Sequence, residues 1–144
     1  MNLSPNFTLE ELTVSETAVR KGFDNTPNAT EIANLVRTAG LLEQVRKLIN
    51  KPIIVNSAFR SKAVNDAVGS KDTSQHRIGC AADIRVPGMT PREVVEACIK
   101  ANMGYDQIIE EFGSWTHISV PDMPSRPPRR QALTIDRQGT RPFK

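Results

Sequence analysis

Ser74-Gln75-His76-Arg77-Ile78-Gly79-Cys80-Ala81-Ala82-Asp83-Ile84 places a histidine and an aspartate seven positions apart, on either side of a glycine. Cys80 to Val86 reads as a strand, and strand alternation puts Asp83 on the face opposite Cys80 and Ala82. Seven positions is too wide a gap for one helix face or for neighbouring strand positions. The chain must therefore turn back between the two residues, and Gly79 supplies the unusual dihedral that such a turn needs. The only other histidine, His117, sits in Trp115-Thr116-His117-Ile118-Ser119-Val120, another strand-like run. His76, Asp83 and His117 make three donors of the kind zinc takes, and three donors leave one tetrahedral position open. An open position separates a catalytic zinc from a structural one. Spacing alone is equally compatible with histidines that are merely structural.

Working outward, Thr8-Leu9-Glu10-Glu11 has the form of a capping box and opens a short helix. Ser15 to Lys21 reads as another turn or two of helix, ended by Gly22. Asn28-Ala29-Thr30-Glu31 starts a long helix reaching about Asn50, with Ile32, Leu35, Val36, Ala39, Leu42, Val45 and Ile49 at helical spacing. Pro52 to Ser57 is β-branched and reads as a buried strand. Arg60 to Val68 forms a short helix, and Gly69 to Arg77 a polar loop. Thr90-Pro91-Arg92-Glu93 is a helix start with an N-cap threonine and proline at the first position. Tyr105 to Phe112 and Trp115 to Val120 flank Gly113-Ser114 as a hairpin. Pro121 to Pro128 is irregular, and Gln131 to Asp136 is expected to be an edge strand. Helices come first and strands cluster later. The expected fold is α+β, with helices packed on a small antiparallel sheet carrying the zinc site.

The chain has 144 residues, enough for one domain with a real core. Hydrophobic content of 38% and charge of 24% are those of a soluble globular protein. No apolar run approaches the roughly 20 residues of a membrane span. No basic head followed by an apolar run marks a secretory signal at the N-terminus. Two cysteines, Cys80 and Cys98, make no disulfide framework and read as buried free thiols. The net charge of +3 is uneven: residues 121–144 carry +4, whereas residues 1–120 carry −1. Such a basic, Pro/Arg-rich C-terminal segment favours an anionic wall or membrane surface. Its only aromatic is Phe143, so no base-stacking platform is present and nucleic acid is not the expected partner.

A zinc hydrolase also needs a base for its attacking water. Glu110 and Glu111, just before the hairpin loop, are the candidates. With a loop of Gly113-Ser114 alone, Glu110 lies opposite His117. With one residue more, Glu111 takes that place. Sequence pattern leaves both open, together with the reading that both face solvent. Arg60, directly after a buried strand, is a candidate for holding a carboxylate or a developing oxyanion.

These residues together resemble the zinc D-Ala-D-Ala carboxypeptidase family, which includes the phage endolysin L-alanyl-D-glutamate peptidases. The shared pattern is Ser74, His76, Gly79, Ala81, Asp83, Trp115 and His117, with Ser57 and Arg60 upstream. Asn6-Phe7-Thr8-Leu9-Glu10-Glu11-Leu12 and Tyr105-Asp106-Gln107-Ile108-Ile109-Glu110-Glu111-Phe112 look like the compact phage-type branch. The resemblance runs from about Asn6 to Val120. It implies zinc ligands at His76, Asp83 and His117, and a substrate or oxyanion contact at Arg60. In many relatives the catalytic acid/base lies three residues before the last histidine, and Ser114 here cannot serve. The Hedgehog signalling domain, whose metal site is similar, has a glutamate six positions before the last histidine. That resemblance selects Glu111 over Glu110.

The resemblance thus implies a zinc metallopeptidase acting on peptidoglycan stem peptides, endolysin-type and cutting between L-Ala and D-Glu. Its alternatives are a D-Ala-D-Ala carboxypeptidase and a catalytically inactive wall-binding module of the same fold. The expected protein is a monomer made in the host cytoplasm. It would act on the wall after release, as a phage lysin or as a virion component.

Overall fold

The computed structural model describes residues 1–144. Along the chain run β1 (Asn2–Ser4), β2 (Phe7–Thr8), α1 (Leu9–Thr13), α2 (Glu16–Lys21), α3 (Ala29–Ile49), β3 (Ile54–Ser57) and α4 (Lys62–Ala67). A 3-10 turn at Gln75–Ile78 precedes β4 (Ala81–Arg85), α5 (Pro91–Lys100), β5 (Gln107–Glu111), β6 (Trp115–Ser119), β7 (Gln131–Asp136) and β8 (Gly139–Pro142). The helix starts are where side-chain chemistry requires them. Thr8, Asn28 and Thr90 each accept from the backbone N–H of a glutamate three residues on, and each glutamate reaches back to the cap. Each such cap contributes about 1 kcal/mol. No helix is long and apolar enough to cross a membrane.

The main sheet has the order β3-β4-β6-β5-β7-β8. It is mixed rather than antiparallel, because β5 and β7 run parallel. Gln131–Asp136 is an interior strand and not an edge, since β8 folds back onto it. The short run Gly139–Pro142 is polar and exposed, which is why its pattern did not announce a strand. The sheet divides two chemistries by alternation. Ala82, Ile84, Ile108 and Ile118 point to one face and are fully buried in a core shared with Leu35, Leu42 and Val45 of α3 and Val94, Val95 and Cys98 of α5. Asp83 pairs across with His117, and His117 with Ile109, so these residues share the other face.

α3 does more than close the core. Its buried Thr38 hydroxyl donates to the Gly79 carbonyl at 2.7 Å, and the Asn34 amide donates to the Ile78 carbonyl at 2.9 Å. Those carbonyls belong to the turn that carries His76. Gly79 has φ of 85°, and a Cβ there would lie 2.8 Å from the Glu31 carbonyl oxygen and 3.1 Å from Leu35. The turn is therefore closed to any side chain at position 79 for two reasons, dihedral and space. Val36, expected in the apolar stripe of α3, is instead exposed, and Leu41 is buried.

The C-terminal segment is anchored by one carboxylate. Asp106 is 0% exposed and accepts from Arg126 Nη1 (3.0 Å) and Nη2 (3.1 Å), Arg129 Nη2 (2.7 Å), the Arg129 backbone N–H (3.0 Å) and Gln75 Nε2 (3.0 Å). Burial alone would raise this carboxyl, but the hydrogen bonds from Arg129 and Arg126 outweigh it and hold it well below the usual range. Arg92 fixes the other end: its guanidinium lies 4.6 Å over the Phe143 ring and bonds the Lys144 carbonyl. Asp106→Ala should lower stability by about 2 kcal/mol in urea unfolding, since its arginine partners are half-exposed and can turn to water. With a depressed native pKa, the Asp106 contribution is full above the unfolded carboxylate range and is lost as pH falls through the native value. The stability difference between native and variant should therefore shrink in acid.

Candidate metal centre and cleft

Three backbone segments deliver the three donors. Asp83 comes from the middle of β4 and His117 from its partner position on β6, so the register of two adjacent strands sets their spacing. His76 comes from the 3-10 turn, which is capped by the Ser74 hydroxyl accepting from the His76 N–H at 3.3 Å. The loop after β3 secures the turn: the Arg60 N–H donates to the His76 carbonyl at 3.0 Å, and His76 Nδ1 lies 2.7 Å from the Ala58 carbonyl. Asp83 Oδ1 is 3.2 Å from His76 Nε2 and 3.0 Å from His117 Nδ1. One donor atom from each residue lies within 4.8 Å of the others, a spacing that can hold a metal ion.

The donor chemistry fits a divalent cation. A carbonyl can only accept, so His76 Nδ1 must carry a hydrogen. In the neutral ring this leaves Nε2 as a lone pair facing a carboxylate oxygen. That contact needs a positive charge between the two atoms, which a metal ion supplies and which a second proton on the ring supplies in its absence. A backbone carbonyl on the outer nitrogen is also the usual way a ligating histidine is oriented. Burial opposes ionisation of Asp83, which is 7% exposed, but the two imidazoles against its Oδ1 outweigh burial and hold its carboxyl below the ordinary range.

Around this group lies a cleft of about 690 Å³. Arg60 and Glu111 both line it, whereas Glu110 and Ser114 do not. Arg60 is 17% exposed, with Nη2 at 3.5 Å from Asp83 Oδ2. Burial lowers its pKa, and the Asp83 and Glu111 carboxylates oppose that shift. Glu111 Oε2 lies 3.8 Å from His117 Nδ1 and accepts from the Trp115 indole N–H at 3.2 Å. Burial raises the Glu111 carboxyl, as does the nearby Asp83 charge, while His117, Trp115 and Arg60 offset part of the rise.

Neither hairpin register expected from sequence is the one formed. The loop is Phe112-Gly113-Ser114, with φ of 54° at Phe112 and 62° at Gly113, and Glu111 lies opposite Trp115 while Ile109 lies opposite His117. Glu111 still reaches His117 because it is two positions from Ile109 on the same face. Glu110 points to the helix side, where it accepts from Arg92 Nη1 at 3.2 Å and the Thr134 hydroxyl at 2.7 Å. The Ser114 hydroxyl donates to the Phe112 carbonyl at 3.2 Å and is exposed. The residues that sequence reasoning missed also line the cleft: Lys71, Gln75, Asp122 and Arg129, with Leu133, Ile135 and Thr140 of the last hairpin. An internal salt bridge to Asp106 had disguised Arg129 as tail charge.

No curated protein matches the chain. The family model described as Peptidase M15 matches residues 5–119, a span that includes His76, Asp83, Glu111 and His117. That span covers most of the chain, and the protein is a peptidase belonging to the Peptidase M15 family.

Proposed function

We propose that the chain is a zinc-dependent endopeptidase of endolysin type, cutting peptidoglycan stem peptides between L-Ala and D-Glu. The observation that carries this reading is the convergence of His76, Asp83 and His117 on the wall of a cleft that also presents Glu111. Zinc held by those three residues would supply a Lewis acid for the scissile carbonyl and an acidified water. Glu111 takes the proton of the attacking water and returns it to the departing amine. Its raised carboxyl suits a group that must both accept and give a proton. The Trp115 indole fixes which Glu111 oxygen is free. Arg60, held by the same loop that positions His76, steadies the substrate carbonyl as negative charge develops.

The endopeptidase reading is supported over a carboxypeptidase by the shape around Arg60. Arg60 lines the main cleft and also a second depression bordered by Val14, Val55 and Val64. A depression on each side of Arg60 suits a chain that extends past the site in both directions. The substrate places the action at the cell wall, after release from the host cytoplasm, and the enzyme acts as a monomer. Contact with anionic wall or membrane through the C-terminal segment rests on Arg130, Arg137 and Lys144, because Arg126, Arg129 and Arg141 are ion-paired within the fold.

Incubation with purified peptidoglycan should produce new D-Glu amino termini by mass spectrometry. New terminal D-Ala instead would establish the carboxypeptidase. A chelator should abolish this hydrolysis and added zinc restore it. Glu111→Ala should lower kcat by roughly 100-fold or more while leaving metal content unchanged. Glu110→Ala should remain within a few-fold of native, because its carboxylate faces Arg92 and Thr134. Full activity of Glu111→Ala would remove it from the role of base.

A further inference from the structure

Two cationic residues that line the cleft, Arg129 and Lys71, have no part in the proposed chemistry. Arg129 lies outside the residues matched by the family model, yet it lines the same cleft as the three metal-ligand candidates. Its guanidinium is not free to swing. Nε and Nη2 are both bonded to buried Asp106, at 3.1 and 2.7 Å from Oδ2, and its backbone N–H bonds the same carboxylate. Nη1 is left without a protein partner. A planar guanidinium fixed along one edge presents the remaining donors in a set direction, the arrangement suited to a carboxylate.

Lys71, in the loop after α4, lines the cleft as well and forms no ion pair. The acidic residues near it in sequence, Asp66 and Asp72, are both taken by Lys62, at 3.1 and 3.4 Å. Besides Asp83 and Glu111, the acidic residue lining the cleft is Asp122, and it is already engaged: Oδ1 accepts from Gln75 Nε2 at 2.7 Å and lies 4.0 Å from Arg126. Gln75 also donates to Asp106, and it immediately precedes His76. Arg129 is thereby tied through Asp106 and Gln75 to the turn carrying the first metal-ligand candidate, and the Lys71 carbonyl accepts from the Ser74 N–H at 2.9 Å at the start of the same turn.

We propose that Arg129 and Lys71 form a carboxylate-binding subsite in the cleft, which selects peptides bearing a free acidic group near the bond that is cut. This rests on the peptidoglycan reading above, since glutamate in stem peptides occurs with its spare carboxyl either free or amidated. The C-terminal segment then has a role inside the cleft, beyond any contact with a wall surface.

The test compares kcat/KM of the zinc-loaded protein on two synthetic stem peptides that differ only in whether that carboxyl is free or a carboxamide. The native protein should prefer the free acid by roughly tenfold, mostly through KM, as loss of a charge-assisted contact predicts. Lys71→Met and Arg129→Gln should each move the ratio towards one. Arg129→Gln also removes a partner of Asp106, so Lys71→Met, with no ion pair to lose, decides the matter if the arginine variant fails to fold. Equal hydrolysis of both peptides by native protein, or an unchanged ratio in Lys71→Met, would overturn the subsite alone. Hydrolysis of neither peptide would overturn the peptidoglycan reading, and the subsite with it.

Discussion

One carboxylate oxygen meeting two imidazole nitrogens is the constraint on which the rest of the structure depends. Asp83 Oδ1 has His76 Nε2 at 3.2 Å and His117 Nδ1 at 3.0 Å, in a position 7% exposed. The Ala58 carbonyl fixes the hydrogen of His76 on the outer nitrogen. A lone pair against a carboxylate is stable there only with a positive charge between them. The fold gives the donors little freedom to separate. Two of them sit opposite each other on adjacent strands, and the third is held by a turn bonded to both α3 and the loop after β3.

The sheet separates stability from chemistry. Alternation sends Ala82, Ile84, Ile108 and Ile118 into the core and leaves Asp83, His117 and Glu111 on the cleft. Glu110 and Glu111 show the consequence most plainly. They are neighbours in sequence, yet one is a structural acceptor for Arg92 and Thr134 and the other stands beside His117. A one-residue slip of β5 against β6 would exchange these roles.

Much of this was legible beforehand, for local physical reasons. The three capping boxes mark helix starts because the same few atoms always satisfy the free N–H groups. The His76–Gly79–Asp83 spacing predicts a turn into a strand, and the φ of 85° at Gly79 is that turn. What sequence could not supply was non-local. The three-residue loop at Phe112–Ser114 depends on two residues with positive φ, one of them a phenylalanine that no turn preference flags. The pairing of β7 parallel to β5 follows directly after the segment in which Asp106 holds Arg126 and Arg129, partners far from it in sequence. Read as composition, those arginines were a basic tail. In the folded chain they anchor the strand that completes one wall of the cleft.

The proposed function requires His76, Asp83 and His117 to hold one catalytic zinc. Anomalous diffraction at the zinc edge from crystals of zinc-loaded protein tests it most directly. One peak is predicted, at about 2.0–2.2 Å from His76 Nε2, His117 Nδ1 and an Asp83 carboxylate oxygen, with a fourth position open to the cleft. A peak elsewhere, or a fourth protein ligand closing the site, would contradict the account.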